Sequence, residues 1–448
     1  MLSFWGKLAP KVELHMSEQY LRKTPRSRQA YEKAKTLFPA GVSYRIRFIE
    51  PYPFCVVNAK GSKLFDIDGN TYTDYWCAHF ALILGHRHPK VVEAVREQVE
   101  KDLHYGVAHE LEAKLAEQIV KMVPSAQLIR FAGSGTEANM YAVRLARTYT
   151  DRTGIGKFEG NWHGGYDPLH VAMKPPIFDE LPSGGLTPGS LADTVVLPFN
   201  DLDGVRKRVK GKRLACVLIE PVMGAGGMIP AEKEFLKGLA EFCREEDTLL
   251  IFDEVVTGFR LGPGGAQQLY GIRPDLTVLG KIIGGGLPIG AITGRADIME
   301  RMDHTKYKGK EYSFLGGTHT GNPISMAAGL ATLEILEDAS VYQEIDTIGA
   351  KMREGLNDIM QRAGLEFQTT GIGSMFGCHF TGTPVKDAAA ASRSDKELSK
   401  RLMYFLLDNG IFCLTPELVH CAISRAHTEA EMDEFLRVAE LFARQAKK

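Results

Sequence analysis

The sequence predicts an α/β fold, with a mostly parallel sheet covered by helices on both faces and a second α+β region after it. Three observations predict this. Short apolar runs suited to buried strands alternate with helical segments from about residue 89 to about residue 330. The chain has 448 residues and a 44% hydrophobic fraction, enough for a large core and too apolar for long disorder. Its 46 glycines and 21 prolines punctuate those segments.

In chain order, Ser17 to Phe38 is polar with a helical pattern, and Pro39-Ala40-Gly41 ends it. Val56-Val57 and Lys63–Asp66 read as strands, and the turn Asp68-Gly69-Asn70 before Tyr72 signals a hairpin. Pro89 opens a helix whose Val91, Val95, Val99 and Leu103 share one face, and a further helix spans about Leu111 to Met122. Buried strands are predicted at Leu128–Phe131, Thr194–Leu197, Leu214–Ile219, Thr248–Phe252, Leu276–Leu279 and Ile289–Thr293. A helix at Ala328–Leu336 leads into the second α+β region. The last helix opens on a capping box, Thr428 with Glu431, and carries Met432, Phe435, Leu436, Ala439 and Phe442 as its apolar face.

Charge narrows the function. Lysine and arginine number 54 against 55 acidic residues, a net charge of -1, so no basic excess points to nucleic acid. No polybasic run points to a membrane surface; Arg206-Lys207-Arg208 and Lys210–Arg213 read as solvated helix ends. No stretch reaches the roughly 18 apolar residues of a membrane span. Met1 to His15 lacks the apolar core of a secretory leader, so none is expected. Seven cysteines, odd in number and without a CxxC pair, suit a cytoplasmic protein with reduced thiols.

Three motifs carry chemistry. Gly133-Ser134-Gly135-Thr136-Glu137-Ala138-Asn139 joins a strand to a helix, where small residues and free amides favour an anion; alone, it is equally a tight turn. The strand Leu249–Phe252 ends in Asp253-Glu254, at the sheet edge where α/β proteins bind ligands; alone, these could be a helix cap or a buried ion pair. The strand Leu276–Leu279 ends in Gly280-Lys281, followed by a glycine run; burial would favour a neutral, nucleophilic amine, against the alternative of a snorkelling surface lysine. Eleven glycines fall between Gly258 and Gly294, which lets backbone approach a ligand closely.

Together the three define one chemistry, the anchoring of pyridoxal 5'-phosphate. The phosphate takes the helix N-terminus, Lys281 takes the aldehyde carbon, and Asp253 keeps the pyridine nitrogen protonated so that the ring acts as an electron sink. Asp253 and Lys281 lie 28 residues apart, room for one crossover between two strand ends.

At these residues the sequence resembles the class III (ω-) aminotransferases of fold-type I. The resemblance runs from about Pro39 to Thr428. It rests on Leu250–Arg260 (LIFDEVVTGFR), Pro274–Pro288 (PDLTVLGKIIGGGLP), Ser134–Ala138, Phe158–Gly164 (FEGNWHG) and Gly317–Pro323 (GTHTGNP). The most similar branch holds glutamate-1-semialdehyde aminomutase, D-phenylglycine aminotransferase and β-phenylalanine aminotransferase. The resemblance implies a large cofactor-binding domain at residues 81–330 and a small α+β domain built from residues 1–80 and 331–448. It implies that Ser134, Gly135 and Thr136 bind phosphate, that Trp162 stacks on the cofactor ring with His163 beside it, and that Val255 lies on the other ring face. Glu220 would support the site, and Thr318 would reach the phosphate of a neighbouring subunit, which makes the active unit a homodimer. Arg47 would bind a substrate carboxylate, with Tyr44 and Arg45 near it.

Departures bear on the substrate. The aminomutases carry Trp where this chain has His79, and a Glu near the C-terminus where it has Val419 in Glu417–Ser424. Both changes count against the aminomutase. Arg47–Pro53, Thr370–Met375 and Leu406–Cys413 are similar to the β-amino-acid group, although one of that group's arginines aligns with Tyr44 and none sits near Pro416. The expectation is a ping-pong aminotransferase for a β-amino acid, possibly aromatic, and a keto acid, in which Lys281 shuttles the proton. The aminomutase and a racemase or epimerase of the same fold are the alternatives.

Overall fold

A computed structural model describes residues 18–173, 183–414 and 418–446. The readings at Met1–His15, Pro416 and Glu417 lie outside the described residues. In chain order the strands are β1 (Val56–Lys60), β2 (Lys63–Asp66), β3 (Thr71–Asp74), β4 (Leu128–Ala132), β5 (Gly154–Phe158), β6 (Thr194–Leu197), β7 (Leu214–Ile219), β8 (Val222–Met223), β9 (Ile229–Pro230), β10 (Leu249–Asp253), β11 (Leu276–Gly280), β12 (Gly290–Gly294), β13 (Gln368–Ile372), β14 (Met375–His379), β15 (Ile411–Phe412) and β16 (His420–Ala422).

Seven of them form the central sheet in the order β4-β12-β11-β10-β7-β5-β6. β12 runs antiparallel to both neighbours, and the other described pairs are parallel. β7, β10, β11 and β12 are buried along their whole length, the pattern of strands covered on both faces. The C-terminal ends of β4, β5, β7, β10 and β11 therefore share one edge, with the start of β12 between β4 and β11. A second sheet, β1-β2-β3-β15, joins the two chain ends, because β15 pairs in parallel with β3 through Ile411 and Thr73. β13, β14 and β16 form a third sheet beside the long helix Ser340–Arg362.

Some sequence expectations need correction. The polar start is two helices, Glu18–Lys23 and Pro25–Ala34, because Pro25 has no N–H to continue the first. The helix Pro89–Lys101 stops short of Leu103, and Val99 and Leu103 are exposed; only Val91 and Val95 of that stripe pack inward. β5 is an additional strand. Its glycines hide the strand pattern, yet a Cβ on Gly156 would lie 2.8 Å from Leu197, so the sheet neighbours require a residue without one. The capping box is present: Thr428 N donates to Glu431 Oε2 at 2.8 Å, and Glu431 N donates to Thr428 Oγ1 at 3.3 Å.

The least expected backbone feature is Cys77–Phe80, where four consecutive non-glycine residues have φ of 47°, 50°, 61° and 67°. Left-handed turns of L-residues cost about 1–2 kcal/mol per residue. Such strain persists only where surrounding structure imposes it.

Close approach also governs the turn after β4. A Cβ on Gly290 would lie 2.1 Å from Ser134 O. Gly290→Ala is expected to destabilise the apoprotein by about 1–3 kcal/mol, read from the midpoint of urea unfolding. An unchanged midpoint would contradict this packing.

Candidate active site

The shared sheet edge gathers most of the singled-out residues. Asp253 ends β10 and is buried. Its Oδ2 accepts from His163 Nδ1 at 2.7 Å and Asn139 Nδ2 at 2.8 Å, and its Oδ1 accepts from Val255 N at 3.0 Å. A carboxylate can only accept, so His163 carries its proton on Nδ1. Burial lowers the pKa of His163 and keeps it neutral, and its Nε2 is buried without a partner. Three of roughly four acceptor positions on Asp253 are filled. The one left suits a single N–H, such as that of a protonated pyridine.

The neighbouring Glu254 serves differently. Its carboxylate accepts from Thr257 Oγ1, Ala266 N, and the backbone and side-chain amides of Gln267, so it caps the helix Gly265–Tyr270. The cap reading thus belongs to Glu254 and the site reading to Asp253.

Lys281 follows β11 directly, with φ of 49°. Among the described residues its amine has no hydrogen-bond partner. Burial lowers its pKa, against the pull of Asp253 and Glu220, so the neutral amine is favoured. Ser134 caps the helix Gly135–Thr150, with Oγ accepting from Glu137 N at 3.2 Å. The first helical bond runs from Ala138 N to Ser134 O, which leaves the amides of Gly135 and Thr136 at the open N-terminus. A Cβ on Gly135 would lie 3.0 Å from Val255 Cγ2, and one on Gly280 would lie 3.3 Å from Val255 Cγ1. Val255 therefore stands between the anion turn and the lysine. A Cβ on Gly164 would lie 2.1 Å from Thr136 Oγ1, so the Trp162–Gly164 loop also abuts that turn.

Trp162 is 36% exposed, which rules out a core role. Its backbone N–H donates to Glu220 Oε2 at 2.7 Å, and Glu220 N donates to Asn161 Oδ1 at 2.8 Å. Burial beside Asp253 pushes the Glu220 carboxyl up to about 8. On β5, Lys157 is fully buried and donates to Phe158 O at 3.0 Å and Asn161 O at 2.9 Å, bracing the same loop.

Tyr44, Arg47 and His79 form a second wall. Tyr44 and His79 stack with centroids 5.8 Å apart, and Trp76 meets His79 edge-on at 4.9 Å. Burial, with Lys281 and the Arg47 guanidinium nearby, lowers His79 to about 4, so it is neutral near pH 7. Arg47 is exposed; its Nη1 donates to Ser43 Oγ at 3.2 Å, and no described carboxylate pairs with it. Val419 is fully buried, and its carbonyl accepts from Cys378 N. Thr318 follows Gly317, where a Cβ would lie 3.7 Å from Glu137 Oε2 of the helix after β4. Thr318 lines a cavity of about 280 Å³ with His104, Glu112, Thr320 and the exposed Val107.

The sequence reading gave no role to Asn139, Asn161 or Lys157. Asn139 lies in the glycine turn motif, one helical turn after Gly135, and that spacing was the available signal. A lysine inside an apolar strand was the signal for Lys157.

The class-III aminotransferase profile matches residues 47–438. This chain belongs to the class-III aminotransferases. It is 42% identical over 417 residues to the glutamate-1-semialdehyde 2,1-aminomutase of Methanothermobacter thermautotrophicus, covering 93% of this chain and 98% of that one. Among solved structures it resembles an omega-transaminase from Sphaerobacter thermophilus, at 35% identity and a TM-score of 0.90, covering 96% and 100% of the two chains. It also resembles a β-phenylalanine aminotransferase from Variovorax paradoxus, at 33% identity and a TM-score of 0.86, covering 95% of each chain. The cofactor of this class-III aminotransferase is pyridoxal 5'-phosphate, as in the PLP-bound transaminase it also resembles, at 34% identity, a TM-score of 0.86 and 94% and 98% coverage. The residues present fit that group: an open acceptor on Asp253, an unpartnered amine on Lys281, a helix N-terminus at Ser134–Thr136 and an exposed ring on Trp162. Among the described residues no helix is long and apolar enough to cross a membrane.

Burial pushes Lys157 down to about 7, against about 10.4 in an unfolded chain. Between those values the unfolded chain binds a proton that the folded one does not, so this group makes stability rise with pH from about 7 to about 10. Lys157→Met cannot titrate and is expected to lose that rise. Urea unfolding of both apoproteins at about pH 7 and about pH 9.5 measures it; equal rises would contradict a buried neutral amine.

Proposed function

We propose that this class-III aminotransferase moves an amino group from a β-amino acid, aromatic ones included, to a keto acid in a ping-pong cycle. The observation that carries the reading is the wall of Arg47, Tyr44 and His79 beside Lys281, with Arg47 lacking a described carboxylate partner. A guanidinium held there can take a substrate carboxylate bidentately. The likeness to the Variovorax paradoxus enzyme supports the same class of donor.

Pyridoxal phosphate, when bound, supplies an electron sink for the electrons released at the substrate carbon. The chain's own groups would do the rest. Asp253 would hold the proton on the ring nitrogen, with its orientation fixed by His163 and Asn139. Gly135 N, Thr136 and Ser134 would bind phosphate. Trp162 and Val255 would bracket the ring, with Glu220 fixing the backbone of Trp162. Lys281 Nζ, neutral near working pH, would take the proton from the carbon that bears the amine and return it on the other side of the transfer.

We further propose a homodimer in which Thr318 of one protomer serves the phosphate of the other. The exposed Val107, which lines the Thr318 cavity, and the exposed Leu103 next to its lining residue His104 support it. Seven free cysteines, six of them buried, support a cytoplasmic location.

A second reading, the aminomutase, is favoured by the 42% identity to curated aminomutases; His79 and Val419 depart from it. Two incubations separate the readings, one of β-phenylalanine with 2-oxoglutarate or pyruvate and one of glutamate 1-semialdehyde alone. The first is expected to form glutamate or alanine. Isomerisation of the semialdehyde without any transfer from β-amino acids would establish the second reading instead. Arg47→Ala is expected to raise KM for carboxylate donors about 10- to 100-fold, with a smaller effect on kcat; an unchanged KM would refute the role of Arg47.

A further inference from the structure

The left-handed turn Cys77–Phe80 must be held from outside, since each of its four residues lies in a region that L-residues disfavour. Two holds are present. Asp74 Oδ1 accepts from the amides of Trp76 at 2.9 Å and Cys77 at 3.1 Å, which fixes where the turn begins. Arg260 Nη2 donates to Phe80 O at 2.8 Å, which fixes where it ends. The same guanidinium donates from Nη1 to Ile423 O at 2.8 Å, just beyond β16. Arg260 is fully buried, and a buried cation needs fixed acceptors of this kind. It lies seven residues after Asp253, so one short segment carries both the site carboxylate and this hold. Between the two holds the turn packs against the Lys281–Gly284 segment and presents His79 to Tyr44, Arg47 and Lys281.

We infer that Arg260 is a positioning residue for substrate recognition: its bond to Phe80 O locks the left-handed turn, and the locked turn sets His79 beside Lys281 and Arg47. The inference rests on the proposed function for the identity of the substrate, but not for the lock itself. A core-filling role for Arg260 makes a different forecast. Glycine tolerates positive φ, so a glycine in the turn replaces part of what the lock does. Ala78 is exposed, so Ala78→Gly gives up no packing. A lock is compensated by that glycine, and a missing core filler is not.

The test uses hydrogen exchange by mass spectrometry on the holoenzyme. It follows peptides spanning residues 76–86, with residues 249–253 as an internal reference. Arg260→Met is expected to speed exchange in 76–86 about 10- to 100-fold, the factor one lost charged hydrogen bond carries, while cofactor absorbance and the reference peptide stay unchanged. Adding Ala78→Gly is expected to return part of the protection. With β-phenylalanine and pyruvate, kcat/KM should fall by a similar factor in Arg260→Met and recover in part in the double variant. If β-phenylalanine is no donor, the exchange result still decides the lock, so the two readings fail separately. Native exchange in Arg260→Met, or no recovery on adding Ala78→Gly, overturns the inference. Should Arg260→Met be insoluble, soluble protein from the double variant supports the lock. An equally insoluble double variant, with native exchange in Arg260→Lys, overturns it.

Discussion

The site depends on one buried carboxylate. Asp253 is held by His163 from the loop after β5, by Asn139 from the helix after β4, and by the amide of Val255 on its own segment. These bonds join three crossovers of the parallel sheet at its C-terminal edge. They also fix the tautomer of His163 and leave one acceptor direction open. A charge this buried is tolerable only where donors are preorganised around it. The same donors then aim it at whatever lies in the cleft.

Around that carboxylate, burial sets the protonation states. Lys281 is driven toward its neutral form, and Glu220 is pushed up to about 8 beside Asp253. Lys157, pushed down to about 7, supports the loop that carries Trp162 and His163 through two backbone carbonyls. Shifts of this kind cluster where catalytic groups are matched to their task. The opposite wall is set by backbone rather than charge: a left-handed turn, closed at one end by Asp74 and at the other by Arg260, presents His79.

The parts legible in the sequence were those with a local signature. Strand ends at Asp253 and Lys281 followed from apolar runs that stop at a charged residue, and the turn at Ser134 followed from its small residues. The Thr428–Glu431 cap followed from its spacing. The rest had a weak local signature or none. β5 was hidden because glycines at 154 and 156 serve sheet packing, which only the neighbouring strands reveal. The roles of Asn139 and Asn161 depend on bonds to Asp253 and Glu220, far from them in sequence. The left-handed turn at Cys77–Phe80 contains no glycine, so nothing in its composition announces it; local bonds from Asp74 and a tertiary one from Arg260 hold it. The apolar stripe of the helix from Pro89 packs inward only in its first half, because Val99 and Leu103 face outward.

The central claim is that Lys281, facing Asp253 across the sheet edge, is the covalent anchor for the cofactor. Borohydride reduction of the holoenzyme followed by peptide mass spectrometry tests it most directly. The account predicts a pyridoxyl phosphate mass on the peptide containing Lys281 and on no other. A label on a different lysine, such as Lys157, or holoenzyme that reduces without any covalent label, would contradict it.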